Sequence, residues 1–212
     1  IHLRKDNETG IESVHAYFSG HAYDPHIHDE LLVGVTLCGV QQFNCHRSLH
    51  TSTQGSTMLI EPGAVHDGHA PAGHDFTYIM LSLPQTWVSD MLQRRKRTSL
   101  EDLGTIFQNT LIDSPELSVA VIRAFDGLQG LEGRMARDQR LDRLIDLLSQ
   151  RFVPGTVSTA RECTSVLSRA RDYLHDYLDT DIALDELASV SGIDRFRLTR
   201  QFGRHFGLSP HE

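Results

Sequence analysis

Cysteine is scarce in this chain. Cys38, Cys45 and Cys163 are the only three in 212 residues, and they are widely scattered and odd in number. That pattern argues against a disulfide framework and against a Cys-based zinc site, and it fits a reducing, cytoplasmic setting. Long apolar runs are lacking too. No segment is apolar enough over enough residues to span a bilayer and no secretory leader is visible, so no membrane partner is expected. The signatures of common enzymes are also missing: there is no Gly-x-Ser-x-Gly elbow, no P-loop and no Rossmann glycine run. No nucleophile–base pair stands out, and there are no internal repeats or low-complexity tracts. With 39% apolar and 23% charged residues, what remains is a globular chain of one or two domains, able to bury real cores. It opens on Ile1 rather than Met and stops at Glu212, just after Ser209-Pro210, and both ends read as cut.

Acid is missing from one place in particular. The chain carries a formal charge of −8, which disfavours a protein coated in nucleic acid. Yet from Arg195 to Pro210 there is no Asp or Glu. Before that stretch, Leu184, Leu187 and Ala188 recur at i, i+3 and i+4. Ser191-Gly192 break the pattern, and Asp194 is placed as an N-cap. A second helix, Arg195 to His205, then sets Leu198, Phe202 and Phe206 on one apolar face and Arg195, Arg197, Arg200 and Arg204 on the others. Two short helices across a glycine turn, the second basic, have the form of a helix-turn-helix. Such a unit lays its second helix in the major groove of double-stranded DNA. One localised basic face on an acidic body is compatible with that role.

The order of residues narrows this further. The pattern L-x-x-L-A-x-x-x-G-[x]-D-x-x-x-L-x-R-x-F-x-x-x-x-G-x-S-P resembles the first helix-turn-helix of AraC-type transcription regulators. It matches at Leu184, Leu187, Ala188, Gly192, Leu198, Arg200, Phe202, Gly207, Ser209 and Pro210. Carried over by position, the resemblance implies that Phe196, Thr199 and Arg200 face the bases. Arg200 would reach a guanine edge, Thr199 would donate a hydrogen bond or offer its methyl, and Phe196 would pack on a thymine methyl. Arg195, Arg197 and Arg204 would hold phosphates. The family normally carries a second helix-turn-helix beyond the position where this chain stops, which implies a longer natural protein.

The rest of the chain falls into order around that end. Residues 1–84 read as a β sandwich or a small barrel, because short apolar runs (Leu31 to Leu37, Thr57 to Ile60, Phe76 to Leu83) alternate with turn residues. Cys38 and Cys45 lie within apolar β segments and read as buried bystanders. Residues 85–152 read as a helical bridge. Leu100, Leu103, Ile106 and Phe107 keep helical spacing, as do Leu141, Leu144, Ile145, Leu148 and Phe152, and Ser114-Pro115-Glu116 is a good helix start. The run Arg94-Arg95-Lys96-Arg97 reads as a solvated loop. Residues 153–164 read as a linker, and 165–212 as a further helix plus the helix-turn-helix. The fold class expected is α+β.

Two motifs in the β half carry histidine. One is Gly20-x5-His26-x-His28, followed by Glu30; the other is Pro62-Gly63-x-x-His66. Residues two apart on a strand share a face, so His26, His28 and Glu30 fall on one side, where His66 from a neighbouring strand can converge on them. Three imidazoles and a carboxylate suit Zn²⁺, Fe²⁺ or Ni²⁺. The alternative roles are an organic-ligand pocket or hydrogen bonding within the barrel mouth. His69 and His74 read as exposed loop residues, and His21 as part of an arm.

These motifs resemble a cupin barrel, with Glu30 too close behind His28 for the metal-binding pattern. In AraC-type sensor domains the same histidines often persist without a metal. The two resemblances together imply a cytoplasmic, ligand-responsive regulator rather than an enzyme, with DNA and a small-molecule effector as partners. A homodimer is expected through the apolar stripes of helices within 115–152, the alternative being that those stripes pack on the chain's own barrel. The rival is a metal-dependent cupin enzyme using His26, His28 and His66, which leaves the C-terminal third without a role.

Overall fold

The computed structural model describes residues 1–95, 107, 109–130, 133–151, 159–177, 180, 182–193, 195–206 and 210, with only the backbone at 21, 22, 159–165, 196, 197, 200, 204 and 205. Its spine is one long strand, β4 (Leu31–Cys45). The first half of β4 pairs antiparallel with β6 (Thr57–Ile60) on one side and β8 (Asp75–Leu83) on the other. Its second half pairs with β5 (Ser48–Thr53) and meets β7 (His66–His69). Beyond β8 lie β2 (Glu12–Ser19) and then β1 (His2–Lys5). β3 (His21–His26) pairs with β7, and β9 (Leu111–Ile112) with β6. Because β4 belongs to both halves of the sheet, the sheet folds back on itself as a cupin-like barrel.

The period of two explains why these strands are buried on both faces. In β4, Leu31, Val33 and Val35 point outward to a helical layer, while Leu32, Phe43 and Cys45 point into the barrel. In β8, Phe76 and Tyr78 point inward, and Ile79, Leu81 and Leu83 outward. In β6, Met58 and Ile60 are inside and Leu59 outside.

The helical layer consists of α1 (Gln85–Arg94), α2 (Pro115–Leu128) and α3 (Arg134–Ser149). Ser114 caps α2 by accepting from the Leu117 N–H, and Pro115 opens it, as expected for that start. Leu117, Val121 and Ala124 of α2 join Leu141, Leu144, Ile145 and Leu148 of α3 in the outer core, against the barrel's own strands. Full burial of each large aliphatic chain stabilises by roughly 1.5–3 kcal/mol. The apolar stripes are thus consumed within the chain.

A third core stands apart. α4 (Thr159–Asp176), α5 (Leu184–Ser191) and α6 (Arg195–His205) close around Leu167, Ala170, Leu187, Ala188, Leu198, Phe202 and Phe206. Gly192 caps α5 at φ +75°, in the left-handed region that glycine adopts without strain. Both helices occur where the sequence spacing places them. The N-cap assigned to Asp194 lies outside the described residues.

Several expectations are revised. α4 begins at Thr159, inside the stretch read as linker, since no Pro or Gly follows Gly155 to delay it; residues 153–158 lie outside the described residues. The helical spacing over 100–107 falls mostly outside them too, and Phe107 itself occupies an isolated bridge position with its N–H on Glu61 Oε1 at 2.9 Å. Arg95 is no solvated loop residue: it binds Asp146 at 2.8 Å and Asp142 at 2.6 Å, fastening α1 to α3. Lys96 and Arg97 lie outside the described residues. Cys38 is exposed while Cys45 is buried. The register of β4 on β8 slips between Thr36 and Cys38, and one extra residue reverses which face Cys38 occupies. His69 sits in β7 and is half-buried, whereas His74 is exposed as expected. His21 opens β3 rather than preceding the strands.

Candidate functional site

The barrel encloses a chamber of about 400 Å³, within the usual size range for small-molecule sites. Its walls are apolar: Val14, Leu32, Phe43, Met58, Ile60 and Met80. Polar groups are few. Gln41 donates to Thr36 Oγ1 at 2.7 Å, and the hydroxyls of Tyr23 and Tyr78 are hydrogen-bonded to each other. Burial and that bond push the Tyr78 hydroxyl's pKa well up, so it stays protonated. No lysine or arginine lines the chamber among the described residues.

His26, His28 and His66 form its polar end. His26 is the last residue of β3, and His66 the first of β7, opposite it in register. His28 follows in the loop to β4. Asp67 holds β7 in place by accepting from the Asn44 backbone N–H at 2.6 Å and the Asn44 amide at 2.8 Å. The loops carrying His28 and His66 are themselves joined, the Gly63 N–H donating to the His28 carbonyl at 2.7 Å. One ring nitrogen from each histidine lies within 4.8 Å of the others.

Hydrogen bonds set the tautomers of two of them. Nδ1 of His26 lies 2.7 Å from the Asp24 carbonyl, and Nδ1 of His66 lies 2.9 Å from the Ala64 carbonyl. A carbonyl only accepts, so each Nδ1 carries hydrogen, and the neutral ring keeps its lone pair on Nε2. Desolvation first, with the neighbouring imidazoles, depresses the His66 pKa to about 4, against the Ala64 bond. Desolvation and then His26 lower that of His28, against the pull of nearby acids such as Glu30. Imidazoles oriented by backbone carbonyls, with Nε2 left to accept, suit a divalent ion.

Glu30 does not join the three. The strand ends at His26, so the two-residue alternation no longer governs residue 30, which lies in the bend before β4, outside the chamber lining. Tyr23, Tyr78 and Gln41 were absent from the expected site. Alternation along β8 would have turned Tyr78 inward, but nothing local in the sequence marks it as a chamber residue.

All six candidate DNA-reading residues lie on α6. Leu198 and Phe202 are buried, leaving other faces of the helix outward. Arg195 is exposed, 3.5 Å from Asp185 of α5. Thr199 is half-buried and turns its hydroxyl back to the Arg195 carbonyl at 2.9 Å. The side chains of Phe196, Arg197, Arg200 and Arg204 lie outside the described residues.

A barrel of this topology with an apolar chamber and a polar end has the form of a ligand-binding barrel. The chain belongs to the family of AraC-like ligand binding domains, whose model matches residues 8–146. Over most of its length it shares its fold with solved AraC-type regulators. The AraC-like transcriptional activator CuxR is 16% identical with a TM-score of 0.50, covering 94% of this chain and 73% of that one. A variant of apo ToxT from Vibrio cholerae is 10% identical with a TM-score of 0.50, covering 98% and 97%. No curated protein matches the sequence. No helix of the described residues is long and apolar enough to cross a membrane.

Proposed function

We propose that this chain is a transcription regulator that responds to a small molecule: an effector occupies the barrel chamber, and α6 reads double-stranded DNA. The observation that carries the reading is the union in one chain of a ligand-sized chamber and a separately cored helix pair with an arginine-rich second helix. The effector expected is compact and largely apolar, matching the walls. With no lysine or arginine among the described lining residues, an anionic head group would draw its positive charge from a divalent ion at His26, His28 and His66. Phe196, Thr199 and Arg200 are assigned to base edges, and Arg195, Arg197 and Arg204 to phosphates.

The domain division follows the cores: a sensor barrel, its helical layer, and a DNA-reading unit built on α4 to α6. A homodimer is proposed through the outer faces of α2 and α3, where Val119 and Met135 remain exposed. Sedimentation that finds only monomer at micromolar concentration removes the dimer.

The test is selection of a random-sequence duplex library by the wild-type protein and by Arg200→Ala. Enrichment of one motif by the wild type, relaxed or lost in the variant, supports the reading. No enrichment by a folded wild type overturns it. The histidine set also suits a metal-dependent cupin enzyme; in that case Arg200→Ala leaves every activity unchanged, because α6 has no part in the chemistry.

A further inference from the structure

The two loops that supply the histidines also carry the contact with the helical unit. Asp29 follows His28 directly, and Gly63 lies three residues before His66. Arg171 of α4 reaches both: Nη1 is 3.6 Å from Asp29 Oδ1, and only 3.2 Å from where a Cβ on Gly63 would stand. Phe206, at the end of α6, presses its ring on the same glycine, with Cε1 3.0 Å from that position. Asp172 orients the guanidinium by accepting from Nε at 3.0 Å and Nη2 at 2.8 Å. Beneath this seat runs the Gly63 N–H···O=C His28 bond. The glycine is at φ +75° and buried, so any side chain there would strain the turn and lift the seat.

We propose that loading of the His26–His28–His66 site is linked to the seating of α4 and α6 on the barrel, with Arg171 and Phe206 as the residues that sense the movement of the two loops. The inference rests on the reading of the histidines as an ion site. An ion held at Zn–N distances of about 2.0–2.1 Å in tetrahedral geometry needs its ligand nitrogens about 3.3 Å apart. In the seated arrangement they lie within 4.8 Å of one another. Loading draws the loops together across the Gly63–His28 junction, and a seat fitted to the wider spacing is a poorer fit to the closer one. Ion and seat therefore oppose each other, and by linkage each weakens the other by the same factor. The consequence is that the loaded barrel releases α6 for DNA.

Two measurements test this on the whole chain, with Zn²⁺ as the probe. Calorimetry gives the Zn²⁺ affinity of wild type, Arg171→Gln and Arg171→Lys. Fluorine NMR of protein carrying 4-fluorophenylalanine follows the Phe206 signal, assigned by its loss in Phe206→Leu. The linkage predicts at least threefold tighter Zn²⁺ binding in Arg171→Gln. It predicts the same gain in Arg171→Lys, which keeps the charge but cannot cover both Asp29 and Gly63. It also predicts a Phe206 signal that moves with Zn²⁺ in wild type and stays fixed in His66→Ala. Equal affinities with a motionless Phe206 overturn the linkage while leaving the ion site standing. Weaker binding in Arg171→Gln overturns its direction. A gain in Gln that Lys abolishes reduces the effect to charge alone and also overturns it. A wild type that binds no Zn²⁺ removes the ion site itself, and the linkage with it.

Discussion

His26 and His66 face each other across the barrel mouth with ring centroids 4.4 Å apart, and each binds its Nδ1–H to the carbonyl two residues upstream. The same local hydrogen bond is thus used twice, at the end of one strand and the start of another, and leaves the two Nε2 lone pairs unengaged by it. Lone pairs brought close repel unless something electron-poor stands between them, such as a metal ion or a hydrogen-bond donor. This geometry, more than the number of histidines, is what suits the mouth to an ion or a hydrogen-bond donor.

Acid should destabilise the metal-free protein through His66. Its pKa falls from 6.5 unfolded to about 4 folded. The contribution is fully present above pH 6.5 and is lost as pH falls through about 4, because the unfolded chain takes up the proton first. With His66 only 7% exposed, the shift corresponds to on the order of 3 kcal/mol. His26, His28 and Asp67 face the same ring. Urea unfolding in the presence of a chelator should show wild type losing more stability between pH 7 and pH 4 than His66→Gln; equal losses would refute the assignment.

Gly39→Ala should be far worse than an ordinary strand substitution. Gly39 sits at φ +78°, and a Cβ there would lie 2.0 Å from the Asp75 carbonyl oxygen across the β4–β8 pair. Backbone cannot rotate away as a side chain can. We expect a loss of about 3 kcal/mol or more, combining left-handed strain with overpacking, read as a lower urea midpoint.

Arg137 ties α3 to the turn before β2. It binds Asp6 at 3.1 Å and Glu8 at 2.7 Å while only 11% of its side chain is exposed. Arg137→Ala strands the half-buried Asp6 beside its Thr9 bonds, and should cost about 1–3 kcal/mol, measured by chemical unfolding. Lys5→Ala, by contrast, breaks an exposed pair and should change stability by less than about 1 kcal/mol.

Leu198 is fully buried in the small third core. Leu198→Ala should cost about 2–5 kcal/mol there and abolish DNA selection. Effector or ion binding by the barrel should survive. Loss of both functions together would mean that the cores do not stand independently.

Much of the fold was legible because its signals are local. Alternation in β8 and i, i+3, i+4 spacing in α5 and α6 depend on neighbours in sequence, and the pairing of Gly192 with a helix end is a backbone requirement. That the three histidines come together was legible for the same reason, each lying in a short motif. What was not legible depends on contacts distant in sequence. Arg95 reads as one of a run of cations until Asp142 and Asp146 are brought beside it. Cys38 reads as buried until the β-bulge turns it outward. Glu30 follows the two-residue rule on paper, but the strand has already ended at His26. The seat of Arg171 and Phe206 on Gly63 joins segments more than a hundred residues apart, and no spacing announces it.

The most direct measurement is the affinity of the protein for its selected duplex, by fluorescence anisotropy, with and without Zn²⁺, in wild type and His66→Ala. The account predicts at least fivefold tighter DNA binding with the ion in wild type and no change in His66→Ala. Equal affinity in all four conditions, or a folded wild type that binds no duplex, would contradict it.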